Sequence, residues 1–411
     1  MNGIERVVVI HDFSRPEGGA GILTLECIRQ YIARGLAVTF ITGEGMTPEL
    51  KELGVDVVGL ESKRLLEVSA IEALRQGYHN DDALDLLRTW INANDTPGTV
   101  YHLHNWSQML SPSIFIALKT VAERTIVTCH DFFNVCPNGA FMNFQKLLPC
   151  ELKPGSMACF ASACDRRSQL HKVWRFARQR HLNDIADFGD HPFMFTYIHD
   201  RMKSMFEAAG FPRTDGVTIP NPVRPWTSTR IEAEKNSGFL YVGRVSGDKG
   251  ADIALAGAKS ANQSLTVIGE GELFESGVAD YPDTQFLGWK QPAEIADVAR
   301  SVRALIVPSR YNEPFGLVIL EAAMSGLPVI VTDRAALADD VDAYGFGESF
   351  SVRTNADLPK VLEKFAADDR MIEAMSRIGF ERGHELCNTP ETWIEAHLNL
   401  FGRRLKTLST T

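Results

Sequence analysis

Short apolar segments alternate with helical patterns, and this alternation constrains the fold more than any other feature of the chain. In the first half, a glycine-rich turn at 18–21 and helical patterns near 22–34, 82–92 and 112–122 separate the apolar segments. Those segments are, by residue number, 6–10, 37–41, 99–103 and 125–128. Alternation of this kind is typical of a parallel sheet that is covered by helices on both faces.

The alternation stops in a turn-rich stretch at 218–225, which contains prolines 220, 222 and 225, and then it begins again. The apolar segments of the second series are Phe239–Val242, Leu265–Ile268, Ala304–Val307 and Val329–Thr332. A proline-rich break between two similar patterns indicates two domains. The sequence therefore predicts an α/β protein with two doubly wound domains. Such domains bind ligands at the carboxyl ends of their strands, so we expect them to face a cleft.

The pattern also suggests where the domains end. We assign residues 1–215 to an amino-terminal domain and residues 216–388 to a carboxy-terminal domain. The remaining segment, 389–411, has the pattern of a helix, and we expect it to pack back on the amino-terminal domain.

Composition excludes several classes of protein. The chain has 411 residues, of which 45% are hydrophobic, and a net charge of -10. A general nucleic-acid binder needs a broad basic surface, so we expect no nucleic-acid partner. There is neither a secretion signal at the start nor a long uninterrupted apolar run, which favours a cytoplasmic protein, at most peripheral to the inner surface of a membrane.

One candidate binding loop follows the strand at 239–242. Its sequence, GRVSGDKG, combines glycines with two cations, Arg244 and Lys249. Arginine presents a planar fork to phosphate oxygens, lysine supplies a compact charge, and glycine lets the backbone approach a ligand. The alternative is a surface loop with scattered charges. A second turn, Gly-Glu-Gly at 269–271, should lie on the same edge of the sheet.

A second candidate region is the stretch SRYNEPFGLVILEAAMSGLPVIVTD, in which Glu321 interrupts an apolar helix predicted at 317–325. A buried carboxylate is costly without partners, so Glu321 should face a polar cavity. Glu313 precedes the helix, whose first backbone N–H groups, at Phe315, Gly316 and Leu317, suit an anion. The alternatives are a helix cap for Glu313 and an exposed charge for Glu321.

Together these motifs resemble glycosyltransferase family 4, the retaining, nucleotide-sugar-dependent group 1 family with the GT-B fold of two Rossmann-like domains. The cations of the 243–250 loop match one family pattern, and Glu313 with Glu321 matches the other. The resemblance implies that Arg244 and Lys249 hold the donor diphosphate. It also implies that Glu313 lies near the transferred sugar as a catalytic residue and that Glu321 binds the ribose.

The first half resembles the family as well. The sequence GGAG at 18–21 implies that Gly19 approaches the donor or the acceptor, and TCHD at 128–131 implies that His130 faces the transferred sugar as a catalytic residue. Taken alone, His130 reads as a structural histidine at a strand end. His102 and His104 point to one side of their strand and are weaker candidates. One departure from the family lies at 334–340, where a glycine pair followed by glutamate is absent.

The reaction implied is transfer of a sugar from a nucleoside diphosphate sugar to an acceptor hydroxyl, with retention of configuration, in bacterial-type glycan or polysaccharide assembly. We expect a metal-independent enzyme that requires no cofactor. The sequence around the acidic pair Asp340 and Asp342 predicts a solvated turn.

The alternatives to a glycosyltransferase are a GT-B relative that acts as a sugar phosphorylase or nucleotide-sugar epimerase, a dehydrogenase, and an inactive binding module. The dinucleotide-binding Gly-x-Gly-x-x-Gly is absent after the first strand, which disfavours a dehydrogenase.

Two further segments carry hypotheses. Seven cysteines are an odd number, and four of them are concentrated in one loop: Cys136, Cys150, Cys159 and Cys164. They are either zinc ligands or free thiols. Their spacing lacks the Cys-x-x-Cys pair that is typical of a zinc site.

The segment 166–181 has six Lys and Arg residues and no acid, with Trp174 and Phe176 among them. It is either a solvated helix or a contact for an anionic membrane or a lipid-linked acceptor.

Overall fold

The computed structural model describes residues 3–64, 67–212, 215–353 and 357–410. The first half of the chain forms a parallel sheet in the order β3-β2-β1-β4-β5-β8-β9, with a small hairpin, β6-β7, beside it. Its strands are β1 (Arg6–His11), β2 (Ala37–Thr42), β3 (Asp56–Gly59), β4 (Thr99–Asn105), β5 (Thr125–Cys129), β6 (Met142–Asn143), β7 (Leu148–Pro149), β8 (Met194–Tyr197) and β9 (Val217–Thr218).

Helices connect these strands. They are α1 (Gly18–Ala33), α2 (Pro48–Glu52), α3 (Ala70–Tyr78), α4 (Asp81–Asn94), α5 (Ile114–Leu118), α6 (Met157–Ala161), α7 (Gln169–Ala186) and α8 (Asp200–Ala209). A 3-10 helix, Lys119–Arg124, leads into β5. The central strands β4 and β5 are buried almost throughout, as expected for parallel strands with helices on both faces.

The second half forms a second parallel sheet in the order β12-β11-β10-β13-β14-β15. Its strands are β10 (Phe239–Val242), β11 (Leu265–Ile268), β12 (Gln285–Phe286), β13 (Ala304–Val307), β14 (Val329–Thr332) and β15 (Gly347–Phe350). The four apolar segments predicted here are confirmed residue for residue as β10, β11, β13 and β14. The prediction of an α/β protein with two doubly wound sheets is confirmed as well.

The helices of the second half complete the layers. They are α9 (Ala251–Ser260), α10 (Phe274–Asp280), α11 (Pro292–Ala299), α12 (Leu317–Ala323), α13 (Ala338–Tyr344), α14 (Leu358–Ala367), α15 (Asp369–Arg382) and α16 (Pro390–Thr410). Two 3-10 helices, Ala233–Lys235 and Gly383–Leu386, lie at the ends of this half. None of the described helices combines the length and apolar character that a membrane crossing requires.

The glycine-rich segment 18–21 is not a turn, so that prediction is wrong. Helix α1 begins at Gly18, and its first turn packs so tightly on the preceding loop that a Cβ at Gly21 would lie 3.0 Å from the carbonyl oxygen of Arg15. The glycines therefore serve close packing inside a helix. Helix α12 is also shorter than predicted, because it ends at Ala323.

The chain crosses between the halves twice, and the two crossings lie side by side. The Val223 amide donates to the Asn388 carbonyl at 3.0 Å, and the Asn388 amide donates to the Asn221 carbonyl at 3.2 Å. After the second crossing, α16 packs on α1, with Trp393, Ile394 and Phe401 buried in the core of the first half. The domain limits at 215/216 and 388/389 stay a prediction.

Phe401 tests how much of the stability of the first half depends on α16. Its side chain is 1% exposed, so Phe401→Ala should lower the free energy of unfolding by about 3–5 kcal/mol through the cavity it leaves. Denaturant titration followed by fluorescence measures the change. Arg403→Ala, on an exposed position of the same helix, is the matched control and should have little effect. Equal stability of both variants would show that α16 is not part of this core.

Candidate functional site

Two loops meet at the carboxyl ends of the neighbouring strands β10 and β13. The loop after β10 ends at Gly250, whose φ is +72°, and a Cβ there would lie 1.9 Å from the carbonyl oxygen of Pro308 in the other loop. Only glycine fits this approach. The contact brings together two motifs that are separated by more than fifty residues in the sequence.

An ion pair joins the two loops. The Lys249 ammonium donates to Glu313 at 2.8 Å to Oε2 and 3.1 Å to Oε1, and to the Tyr311 hydroxyl at 2.8 Å. Tyr311 donates to Glu313 Oε1 at 2.6 Å, and Ser309 donates to Oε2 at 3.0 Å. Each carboxylate oxygen of Glu313 therefore accepts at least two hydrogen bonds.

This arrangement fixes the charge of Glu313. Burial alone would raise the pKa of its carboxyl group, but the charge of Lys249 and the hydrogen bonds from Lys249, Tyr311 and Ser309 outweigh burial, so the pKa is lowered. Glu313 is thus ionised at neutral pH. It lies ahead of α12 without serving as its cap, because the cap position belongs to Gly316.

Arg244 is held by a carboxylate inside its own loop. Its guanidinium donates to Asp248 Oδ2 at 2.6 Å and to the Ser246 hydroxyl at 3.2 Å, yet about half of the side chain remains exposed. Asp248 also accepts a hydrogen bond at 2.8 Å from Arg166, which belongs to the first half of the chain. The 243–250 loop is therefore a cluster of charges shared by both halves.

Sequence reasoning missed the role of Asp248. Burial tends to raise the pKa of its carboxyl group, but hydrogen bonding by Ser246 and the charges of Arg244, Arg166 and Lys249 lower it overall. The sequence offered one signal for this role: Asp248 lies between the two cations of the candidate phosphate-binding loop. Tyr311, two residues before Glu313, offered a similar one.

Glu321 occupies a different environment on α12. It is partly buried, and burial raises the pKa of its carboxyl group to about 7, although a hydrogen bond from the Trp226 side chain opposes the shift. Among the described residues, no salt bridge reaches this carboxylate. A fully exposed charge does not fit this setting. The sequence did not indicate Trp226, which lies in the first crossing between the halves.

The beginning of α12 faces the first half of the chain. A Cβ on Gly19 would lie 3.5 Å from the Leu317 side chain, so the start of α1 approaches the start of α12. Gly316 has a φ of +82°, and the side chain of Phe315 is buried. Any contact of Phe315 with a ligand would therefore come from its backbone.

His130 follows β5 and stacks on His104, with 5.1 Å between ring centroids. Its Nε2 lies 2.8 Å from His104 Nδ1. Burial lowers the pKa of His130 to about 3, so the ring is neutral at physiological pH. Among the described residues, no hydrogen bond joins His130 to Glu313, so the structure does not place these two predicted catalytic residues in direct contact.

The four loop cysteines are free, and two of them contact a buried lysine. The Lys172 ammonium donates to Cys164 Sγ at 3.0 Å and to Cys159 Sγ at 3.5 Å, and the Asn138 side chain donates to Cys164 Sγ at 3.4 Å. Burial opposes the charge of Lys172, yet the sulfur atoms raise its pKa overall. Within the described ranges, three potential metal-binding atoms come within 4.8 Å of one another only at a different place, around Cys27.

The basic segment 166–181 does not present all its cations to solvent. Lys172 and Arg178 are buried, and Arg175 pairs with Asp165 at 2.6 Å. The exposed cations are Arg166, Arg167 and Arg180. Exposed apolar side chains lie nearby, including Leu170 at 82% and, on the neighbouring helix α3, Ile71 at 83%.

The acidic pair at 340 and 342 lies in α13, so the predicted turn is wrong. Asp340 pairs with His199 of the first half at 3.1 Å, whereas Asp342 accepts a hydrogen bond from the Ser349 amide at 2.8 Å. Residues two apart on a helix do not face each other, which explains the separate partners.

Known structures show the same architecture. Sucrose-phosphate synthase from Thermosynechococcus elongatus superposes with a TM-score of 0.70 and 16% identity, over 98% of this chain and 100% of that one. Anabaena HepE, solved with UDP, superposes with a TM-score of 0.66 and 13% identity, over 99% of this chain and 100% of that one. The chain has the two-domain GT-B fold.

The second half also matches a known family. Residues 228–382 match the family model described as "Glycosyl transferases group 1". The glycogen synthase of Mycobacterium tuberculosis is 29% identical over 156 residues, which cover 35% of this chain and only 37% of that enzyme. The chain is thus similar to the group 1 glycosyltransferases over residues 228–382, and it matches little more than a third of the length of this curated relative.

The raised pKa of Glu321 predicts a stability penalty that depends on pH. The folded carboxyl has a pKa of about 7, above its ordinary value near 4.5, so the folded state binds the proton more tightly. The penalty is absent below the ordinary pKa, grows between the two values and is complete above the higher one. Allowing for partial exposure, Glu321→Gln should stabilise the ligand-free protein by about 1–3 kcal/mol at about pH 8.

Denaturant titration at several pH values measures this effect. The gain should shrink as the pH falls from about 7 and disappear only below the ordinary pKa near 4.5, where both states are protonated. Glu275→Gln on α10 changes an exposed carboxyl in the same way and serves as the control. A Glu321→Gln variant that is less stable than the parent at alkaline pH would contradict the assigned environment.

Proposed function

We propose that the protein transfers a sugar from a nucleoside diphosphate sugar to an acceptor hydroxyl, with retention of configuration, in the assembly of a glycan or polysaccharide. The observation that carries this proposal is the Lys249–Glu313 ion pair, because it unites the two predicted donor motifs at one sheet edge. The match of residues 228–382 to the group 1 glycosyltransferase family model supports it. UDP in the HepE structure supports a nucleotide donor, and the glycogen synthase relative supports a polysaccharide product.

In this proposal, Arg244 and Lys249 bind the donor diphosphate. Their cluster contains three cations, with Arg166, and two carboxylates, Asp248 and Glu313. The excess of positive charge favours an anion, and the half-exposed Arg244 can turn its fork towards phosphate oxygens. The backbone N–H groups of Phe315, Gly316 and Leu317 add donors for the same phosphates, and Gly19 approaches them from the other domain.

Glu313 has the charge that the reaction needs. Positive charge develops near the anomeric carbon as the sugar leaves the diphosphate, and a fixed carboxylate stabilises that charge without reorganising. Lys249, shared between Glu313 and Tyr311, stabilises the opposite charge on the leaving diphosphate. The acceptor then approaches the same face of the sugar, and the departing phosphate takes its hydroxyl proton, so no protein nucleophile is required.

His130 acts as a neutral ring in this scheme. With a pKa of about 3, it is not a general acid at physiological pH, but it can donate or accept a hydrogen bond with the transferred sugar. Its partnership with His104 fixes the ring orientation. In that contact one of the two nitrogens carries the proton, and this choice sets the tautomer of His130 and of His104.

Glu321 binds the ribose. Its ionised form accepts hydrogen bonds from both hydroxyl groups more strongly than the protonated form does, so donor binding and ionisation favour each other. The reaction proceeds without a divalent metal or a cofactor, because cations of the protein neutralise the diphosphate. A zinc ion among Cys136, Cys150, Cys159 and Cys164 remains a separate structural proposal. The alternative is free thiols, which fits the hydrogen bonds that Lys172 and Asn138 donate to the Cys164 sulfur.

A melting-temperature screen with UDP, GDP, ADP and their sugars tests the proposed function. A ligand of the native state raises the melting temperature by mass action, so one nucleotide series should stand out. Free nucleoside diphosphate should then appear only when an acceptor is present. Release that requires inorganic phosphate instead would identify a phosphorylase, and interconversion of the donor alone would identify an epimerase.

Replacing the two glutamates should have effects that differ in kind. Glu321→Gln should raise the KM for the donor about tenfold with little change in kcat, because ribose contacts change little during the reaction. Glu313→Gln should lower kcat about a hundredfold, because its contact strengthens in the transition state. Arg244→Ala should impair both parameters. Steady-state kinetics with the identified donor gives the comparison.

Controls separate these roles from folding and from metal dependence. Glu275→Gln should behave as the parent enzyme does. Near-parental kinetics for both Glu313→Gln and Glu321→Gln would contradict the assigned site. Activity should persist in EDTA, whereas complete loss that magnesium restores would overturn the metal-free reaction.

The segment 166–181 generates a membrane prediction. We expect the exposed Arg167 and Arg180, together with Leu170, to hold the protein on anionic vesicles at low salt, because cations and exposed apolar side chains bind such surfaces together. Arg167→Glu with Arg180→Glu should abolish co-sedimentation and leave donor-induced melting shifts unchanged. Unchanged sedimentation of that variant, or no sedimentation of the parent, would exclude this contact.

A further inference from the structure

A group of buried imidazoles lies where β4, α1 and α16 meet. His102 and His104 extend from β4, and His397 belongs to α16; all three are at most 3% exposed. The ring centroids are 4.2 Å apart between His102 and His104 and 4.7 Å apart between His102 and His397. Cys27 of α1 lies against the same group and is fully buried.

The spacing of the potential ligand atoms suits a metal ion. Cys27 Sγ lies 3.5 Å from His102 Nδ1, and ligand atoms of Cys27, His102 and His104 all lie within 4.8 Å of one another. In a tetrahedral zinc site, with bonds of about 2.0–2.3 Å, neighbouring ligand atoms are about 3.5 Å apart. The first pair already has this separation, and His104 needs only a small adjustment.

In each of the three rings, a hydrogen bond holds the nitrogen that the proposed metal does not use. His102 Nε2 lies 2.8 Å from the Thr128 hydroxyl, His104 Nδ1 lies 2.8 Å from His130 Nε2, and His397 Nδ1 lies 2.9 Å from the Trp393 carbonyl. Metal-binding histidines have this pattern, since the second nitrogen is fixed by a protein partner.

Two of the remaining nitrogens have no partner in the part of the chain that the structure describes. The Nε2 atoms of His104 and His397 are buried without a hydrogen bond. Buried polar atoms are nearly always satisfied, so two such nitrogens in one cluster indicate a missing ligand. His102 Nδ1 contacts the Tyr31 hydroxyl at 2.9 Å, and this contact would be replaced by the metal.

We propose that Cys27, His102 and His104 bind a transition metal ion, with zinc as the best fit, and that His397 supplies the fourth ligand. Imidazole and thiolate are the ligands that zinc prefers, and four protein ligands in a closed, buried site are typical of a structural role. Binding replaces the thiol proton of Cys27. The ion would fasten α16 to the sheet of the first half and hold His104 against His130.

Metal analysis and cobalt substitution test this site directly, without any activity measurement. The purified full-length protein should bind about one more equivalent of zinc than Cys27→Ser or His397→Asn does. With cobalt chloride, it should show the visible bands of a tetrahedral site and a sulfur charge-transfer band, and Cys27→Ser should weaken the latter. Cys387→Ser, which changes a thiol outside both clusters, is the matched control and should bind as the parent does.

The Cys164→Ser variant distinguishes zinc bound by the loop cysteines from zinc bound at the proposed Cys27 site. A zinc ion bound only there would be lost in Cys164→Ser and retained in Cys27→Ser and His397→Asn, which would overturn the proposal. The proposal also fails if the parent protein binds neither zinc nor cobalt. Because His397→Asn leaves the thiol in place, loss of metal in both variants excludes a general effect of the cysteine substitution.

Discussion

The ion pair between Lys249 and Glu313 is the interaction on which the organisation of the second half depends. Both groups lie at the carboxyl edge of the sheet, and burial of either charge alone would be strongly unfavourable, so each requires the other. The surrounding loops are shaped to permit the pair. Gly250 allows them to touch, and Tyr311 and Ser309 satisfy the remaining oxygen lone pairs of the carboxylate. The charges of the site are thus paired and held in position before any ligand binds.

How much of this structure can be predicted from the sequence depends on how far apart in the chain the interacting residues lie. Strands β10, β11, β13 and β14 were predicted residue for residue, because strands buried on both faces are continuous apolar runs. Segment 18–21 was misread, since glycine favours turns locally while tight packing on Arg15 favours a helix here. The roles of Asp248 and Trp226 were missed because their partners are distant in sequence. Local patterns find motifs, and three-dimensional contacts show which charges within them are already paired.

Glu321 is energetically unfavourable in an otherwise apolar helix. An apolar residue at this position would suit the core of the second half, and the pKa of about 7 measures how poorly the ion is accommodated there. Trp226 offers one donor, which compensates only in part. A carboxylate kept under such conditions is poised to gain from a ligand that brings hydroxyl groups. The penalty in the free protein is consistent with a contact that is completed only by a bound molecule.

The contacts of Asp248 link this site to the other domain. Arg244 and Arg166 share one carboxylate oxygen, Asp248 Oδ2, although Arg166 belongs to the first half of the chain. An anion that drew Arg244 away would leave Asp248 to Arg166 and thereby strengthen the interdomain contact. The two crossing segments are also joined to each other, through hydrogen bonds between Asn221, Val223 and Asn388. The candidate anion loop is therefore connected to the first half of the chain by the shared carboxylate of Asp248 as well as by the crossing segments.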